Sequence, residues 1–285
     1  MHLESRTCDI SLVTVCRNAE ATILRTLLSV AGQSIYPKEH IIVDGASNDA
    51  TLAIVREFAA TAEYRVTVIS ESDFGISDAF NKGIRVCSGS WIHLLNSDDI
   101  YFDSNVLKKL RAILDCSNAV VVSGAAMIEN ESGQEVLTQS TFSRNSLKYG
   151  MSLVHPSTLV RKSAYDRCGP FSITFAIAMD YEWLLRLEAK LSTPPLQITN
   201  ICIARMAFGG ISHRARAQGY KEVFAAQLLH TDRMILWLFL EYKIKVFLFS
   251  NPIGSKMWKV LKPVRNTLRS TMTNAHKMET SQHER

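Results

Sequence analysis

The chain has 285 residues, 47% apolar and 21% charged, enough for the packed core of one large or two modest domains, which excludes bulk disorder. With 13 glycines, 7 prolines and no internal repeat, collagen-like, coiled-coil and disulfide-scaffold classes are excluded as well. The net charge of +5 is uneven: Tyr242 to Met278 holds eight Lys or Arg and no acid, so a mildly acidic body carries a basic tail.

In chain order, Ile10 to Cys16 is a short apolar, β-branched run that reads as a buried strand. Ala19 to Gln33 places Ile23, Leu27, Leu28 and Ala31 at helical spacing. His40 to Val43 is a second strand ending at Asp44-Gly45, and Asn48 or Asp49 can cap a helix over Thr51 to Thr61. Arg65 to Ile69 is a third strand, Ile76 to Val86 a helix, and Trp91 to Leu95 a fourth strand ending at Asn96-Ser97-Asp98-Asp99. This β-α-β-α-β-α-β order predicts a mainly parallel sheet with helices on both faces. Farther on, Val106 to Leu114 and Met179 to Leu191 read as helices, Ala119 to Gly124 as a strand, and Glu129 to Gln139 as a hairpin around Ser132-Gly133.

The six cysteines lie at least eight positions apart, so no CxxC pair exists, and several sit in apolar runs where a free thiol acts as a small hydrophobe. Met1 to Asp9 has no apolar stretch of the secretory kind. A cytoplasmic setting is expected.

Open parallel sheets bind ligands outside the carboxyl ends of their strands. Two acidic groups stand there, Asp44 and Asp98-Asp99. The first βα turn, Cys16-Arg17-Asn18-Ala19, has no glycine, and no G-x-x-x-x-G-K-[ST] loop is present. Phosphate must therefore be held another way, and a Mg²⁺ or Mn²⁺ ion on Asp98-Asp99 suits hard carboxylate oxygens. Taken alone, Asp44-Gly45 is a favoured turn pair and Ser97 to Asp99 a capping stretch. Together, at successive strand ends, they point to a shared nucleotide pocket.

The run Ile41-Ile42-Val43-Asp44-Gly45-Ala46-Ser47-Asn48-Asp49-Ala50-Thr51 resembles a motif of family 2 glycosyltransferases. So do Gly75-Ile76-Ser77-Asp78-Ala79-Phe80-Asn81-Lys82-Gly83, Leu94 to Asp99, His155-Pro156-Ser157-Thr158 and Asp180-Tyr181-Glu182-Trp183. The ordered set spans about 200 residues, from Ile10 to Ser212. The resemblance implies a GT-A, Rossmann-like fold and inverting transfer from a nucleotide-diphosphate sugar, a UDP-sugar favoured; the Q-x-x-R-W pattern and multiple spans of processive members are not seen, so transfer of a single sugar is expected. It implies that Asp44 bonds the nucleobase and that Asp98 and Asp99 bind ribose and metal, with the metal contact on Asp99. It makes Asp180 the general base, with Glu182 the alternative. Asp78 and Lys82 share a helical face by their spacing, which alone reads equally as an exposed surface pair; the resemblance implies that this segment lies beside the donor pocket. Arg17 and Asn18 close the first strand, Arg17 reading equally as a base-stacking or a solvated turn residue. His155 and His213 can touch acceptor or phosphate, although a lone histidine is more often structural.

The aromatic residues Trp237, Phe239, Phe247, Phe249 and Trp258 interleave with lysines, the composition of an interfacial amphipathic segment, and the apolar run is too short to span a bilayer. Residues 1–215 are expected to form the GT-A domain, 1–100 binding donor and 101–215 acceptor. Residues 216–285 are expected to form a helical, basic extension touching the inner face of the plasma membrane. The expected acceptor is a glycan or lipid-linked saccharide, as in cell-surface polysaccharide synthesis. No nucleic-acid motif is visible. A catalytically silent nucleotide-sugar-binding subunit stays open through Asn96 and Met179, and a sugar nucleotidyltransferase lacks its glycine-rich phosphate loop.

Overall fold

The computed structural model describes residues 6–191, 195–207, 209–210, 215–231, 239–240, 242–244 and 246. The elements are β1 (Thr7–Cys16), α1 (Ile23–Ala31), β2 (Tyr36–Asp44), α2 (Thr51–Thr61), β3 (Val66–Ser70), α3 (Ile76–Val86), β4 (Trp91–Leu94) and β5 (Ile100–Tyr101). They continue with α4 (Val106–Leu114), β6 (Val121–Glu129), β7 (Glu135–Gln139), α5 (Arg144–Leu147), β8 (Thr158–Arg161), α6 (Lys162–Cys168), α7 (Met179–Leu191), β9 (Leu196–Met206) and α8 (Arg216–His230).

One mixed, largely parallel sheet runs β3-β2-β1-β4-β8-β6-β9-β5, with β7 paired to β6. The β3-β2-β1-β4 half is parallel throughout, as the βα alternation predicts. Beyond β4 the sheet turns mixed: β8 is antiparallel to both β4 and β6, β6 and β9 are parallel, and β5 returns antiparallel to β9. The hairpin expected around Ser132-Gly133 is the β6–β7 pair.

Burial on both faces accounts for the apolar strands. Val13 and Val15 of β1 pack with Ala79 and Phe80 of α3 on one face, together with α6 and α7. Ile10 and Leu12 turn to Val106, Leu107 and Leu110 of α4 on the other. There α1 and α2 cover Ile42 through Ile23, Leu27 and Val55. At Gly83 a Cβ would overlap Val13 Cγ1, so α3 lies directly on β1.

Helix α8, which opens the expected extension, packs on α7 and buries Glu222, Ala226 and Gln227. Tyr242 stacks on Phe224 of α8 at 5.0 Å. Trp237, Phe247, Phe249, Trp258, His213 and residues 247–285 of the expected basic extension lie outside the described residues. No helix among the described residues is long and apolar enough to cross a membrane.

Candidate active site

The carboxyl ends of β1 and β4, where the strand order reverses, open into a cleft of about 1270 Å³. One wall is the turn after β1, with Arg17 and Asn18 exposed in the lining. Asn18 adopts φ 49°, a left-handed conformation that asparagine tolerates. Its Oδ1 accepts the Asn48 N–H at 2.9 Å, and its own N–H donates to Ser47 Oγ at 2.8 Å, tying the ends of β1 and β2 together.

The floor is the turn Asn96–Asp99. Thr26 Oγ1 of α1 donates to the Asp99 main-chain oxygen at 2.8 Å, and Arg25 to that of Asp98 at 3.1 Å, so helix α1 sets the turn. Burial, reinforced by the Asp98 charge, pushes the Asp99 carboxyl up to about 7, although Asn96 Nδ2 donates to Asp99 Oδ2 at 3.0 Å. Asn96 Oδ1 is buried and has no hydrogen-bond partner. Asp98 also lines the cleft.

Asp44 lies behind the wall and is fully buried. Its carboxylate accepts the hydroxyls of Ser47 and, at 2.8 Å, Ser70. Because Ser47 also receives the Asn18 N–H, Asp44 reaches the lining through Ser47. Asp78 and Lys82 are not in the lining; they brace the loop before α3 from outside. Lys82 Nζ donates to Ser72 O at 2.6 Å and sits 3.0 Å from Glu71 and 3.5 Å from Asp78.

Asp180 occupies the first turn of α7, in a small cavity of about 30 Å³ that it shares with His155. His155 Nδ1 is 3.5 Å from Asp180 Oδ2, and the other ring nitrogen is buried with no partner. The alternative acid, Glu182, is occupied: Arg186 grips both its oxygens at 3.0 Å, and His230 Nε2 stands 2.9 Å from Oε1. Ser77 of α3, flanked by the cleft residue Ile76, donates to Phe175 O and contacts Met179 Sδ at 3.1 Å, which links cleft and α7.

Several lining residues were not among the sequence candidates. Asp73 bonds the Gly75 N–H at 2.9 Å, where Gly75 takes φ 112°; an Asp-x-Gly pair ahead of a helix was the available signal. Glu129 to Ser132, the tip of the expected hairpin, form another wall with Gly209, Gly210 and Arg216. No local pattern ties these distant segments to the cleft.

Residues 11–177 match the family described as Glycosyl transferase family 2. A PGL/p-HBAD biosynthesis glycosyltransferase of Mycobacterium bovis is 22% identical over 204 residues, which cover 71% of this chain and 78% of that protein. Chondroitin synthase of Escherichia coli is 29% identical over 205 residues, 70% of this chain but 29% of that longer protein. Among solved structures, S. aureus TarS 1-349 in complex with UDP-GlcNAc superposes with a TM-score of 0.63 at 21% identity, covering 84% of this chain and 73% of that one. The mannosyltransferase PcManGT from Pyrobaculum calidifontis, in complex with GDP-Man and Mn²⁺, gives 0.63 at 16% identity, covering 94% and 81%. The solved structures share the fold, and the family match spans more than half of the chain, which therefore belongs to glycosyl transferase family 2 and is a glycosyltransferase of GT-A fold.

Proposed function

We propose that the chain transfers one sugar, with inversion, from a nucleotide-diphosphate sugar to a saccharide or lipid-linked saccharide acceptor. The observation that carries this reading is the cleft at the strand ends, floored by Asn96–Asp99 and linked through Ser77 to the helix bearing Asp180. UDP-GlcNAc in one superposed structure and GDP-Man in the other support the donor class, of which a UDP-sugar is the proposed member.

Arg17 and Asn18 hold the nucleobase end of the donor, and Asp44 fixes that wall from behind through Ser47. Asp98 holds ribose. A divalent cation fits the floor: the unpartnered Asn96 Oδ1 joins the carboxylates of Asp98 and Asp99 as a set of hard oxygen donors. Mg²⁺ or Mn²⁺ bound there supplies positive charge beside the leaving diphosphate. Among the described residues no group of three or more His, Cys, Asp or Glu side chains is placed to hold a metal ion, so the proposed site needs substrate oxygens to complete it. Asp180 accepts the proton of the acceptor hydroxyl as that oxygen bonds C1 of the donor sugar and the C1–O bond to the diphosphate breaks. His155 keeps the Asp180 carboxylate in place. Asp78 and Lys82 hold the loop that carries Asp73.

The residues after Tyr242, with eight basic side chains up to Met278, support contact with an anionic membrane surface at the cytoplasmic face. Flotation with liposomes tests this: deletion of residues 251–285 should abolish binding, and unchanged binding would show that the tail is not the anchor.

The donor reading is tested by thermal shift with UDP, GDP, CMP and dTDP sugars, each with and without Mn²⁺. Saturation at 100 times Kd stabilises by about 2.7 kcal/mol. A metal-dependent shift with one nucleotide, lost in Asp99→Ala, is the expected result. No shift with any of them on folded protein would contradict the donor reading, whereas a shift without transfer would favour the silent subunit.

A further inference from the structure

Phe74 is the most exposed of the large apolar side chains among the described residues, 85% accessible. An isolated exposed apolar residue needs no explanation. The setting of this one does. Its loop is braced: the Phe74 N–H donates to Asp78 Oδ2 at 3.1 Å and the Gly75 N–H to Asp73 at 2.9 Å, while Lys82 grips Ser72 O, Glu71 and Asp78. The ring is therefore held out in water by a built loop.

The place is also specific. Asp73, Gly75 and Ile76 line the cleft, which puts Phe74 on its rim. One residue after Ile76, Ser77 bonds Phe175 O and touches Met179, so the rim continues into the segment that leads to Asp180. That segment carries a second exposed apolar side chain, Ile173, 55% accessible. Phe74 and Ile173 thus stand on two tied loops between the donor cleft and the start of α7.

We propose that Phe74 and Ile173, on these two tied loops, form an acceptor subsite in which Phe74 stacks against the apolar C–H face of a pyranose ring on its way to Asp180. The proposal rests on the reading of Asp180 as the base. The face of a phenyl ring is electron-rich, and the axial C–H groups of a hexopyranose present a matching, weakly positive apolar surface. The rim favours a sugar over a lipid surface, because Glu71, Asp73 and Asp78 outnumber the one cation, Lys82, that grips this loop. Such a loop is repelled by an anionic leaflet. Stacking alone tolerates different hydroxyl patterns, so this subsite contributes affinity and ring orientation while linkage choice lies elsewhere.

The test is saturation-transfer NMR of methyl α- and β-hexopyranosides on the full chain, as wild type, Phe74→Ala and Phe74→Trp. The wild type should bind at least one glycoside through its ring C–H protons. Phe74→Ala should weaken that binding about tenfold, and Phe74→Trp should retain it, with the nucleotide-sugar thermal shift the same in all three. The proposal is overturned by equal binding to wild type and Phe74→Ala, or by no glycoside binding to wild type. It is equally overturned if Phe74→Ala loses flotation with phosphatidylglycerol vesicles while its glycoside binding is unaltered. An Asp180→Asn variant that still transfers sugar would remove the base reading and leave the glycoside measurement standing, so the two failures are distinguishable.

Discussion

Glu222 of α8 accepts the main-chain N–H of Ala178 at 2.8 Å, two residues ahead of Asp180. The same oxygen takes the Ile177 N–H at 2.7 Å. The start of a helix leaves N–H groups without intrahelical acceptors, and a carboxylate there also faces the positive end of the helix dipole. Farther along α8, Gln227 donates to Tyr181 Oη at 3.2 Å and His230 meets Glu182. Glu222→Ala should cost about 1–3 kcal/mol of stability and lower kcat for transfer more than it alters the donor KM. Glu222→Gln, which keeps one acceptor oxygen for the Ile177 and Ala178 N–H groups, should recover most of both. Calorimetry and initial-rate kinetics on the three proteins check this; an Ala variant matching wild type in both would contradict it.

His155 is the side chain beside Asp180 that can hold its carboxylate, 3.5 Å away, and it packs against Phe80 at a centroid distance of 5.7 Å. His155→Ala should lower kcat by about 10- to 100-fold and leave the donor thermal shift intact. Unchanged turnover would remove His155 from the account.

Two histidines are buried inside the sheet. Burial pushes His40 down to about 3 and His93 to about 4, from an ordinary 6.5. His93 is held as the neutral tautomer, Nε2 donating to Pro156 O and Nδ1 facing Tyr101 Oη at 2.9 Å. The unfolded chain binds these protons below 6.5 and the folded one does not, so stability is full above 6.5 and is lost as pH falls towards 4. At pH 5 each histidine costs about 2 kcal/mol. Melting temperature measured from pH 7.5 to 5 should fall, and His93→Gln should flatten the slope by about one proton. Equal slopes would refute the assignment.

At Gly83 the contact is with Val13, which is completely buried in β1. Gly83→Ala should destabilise by about 1–3 kcal/mol through overpacking despite the better helix propensity of alanine. Denaturant unfolding checks it, and a stabilised variant would show that α3 can move off the sheet.

The βα alternation up to β4 and the longer helices are legible because their signals are local. Thr51–Thr61, Ile76–Val86, Val106–Leu114 and Met179–Leu191 are helices over the ranges their apolar spacing predicts. Helix α1 starts later than its pattern, at Ile23, because Ala19 gives its N–H to Thr51 Oγ1 and the preceding residues tie the β1 and β2 turns together. The insertion of β8 between β4 and β6 is not legible, since a four-residue strand carries no record of its partners. The same holds at the site. Strand-end position identifies Asp44, yet its depth depends on Ser47 and Ser70 claiming its oxygens. The approach of His155 to Asp180 joins residues far apart in sequence and arises only from packing.

The most direct test of the account is Asp180→Asn, assayed for sugar transfer with the donor and metal that the thermal-shift panel selects. The account predicts that donor binding and melting temperature stay as in wild type while transfer falls by at least about a hundredfold. Transfer at the wild-type rate would contradict it and place the base elsewhere in the cleft.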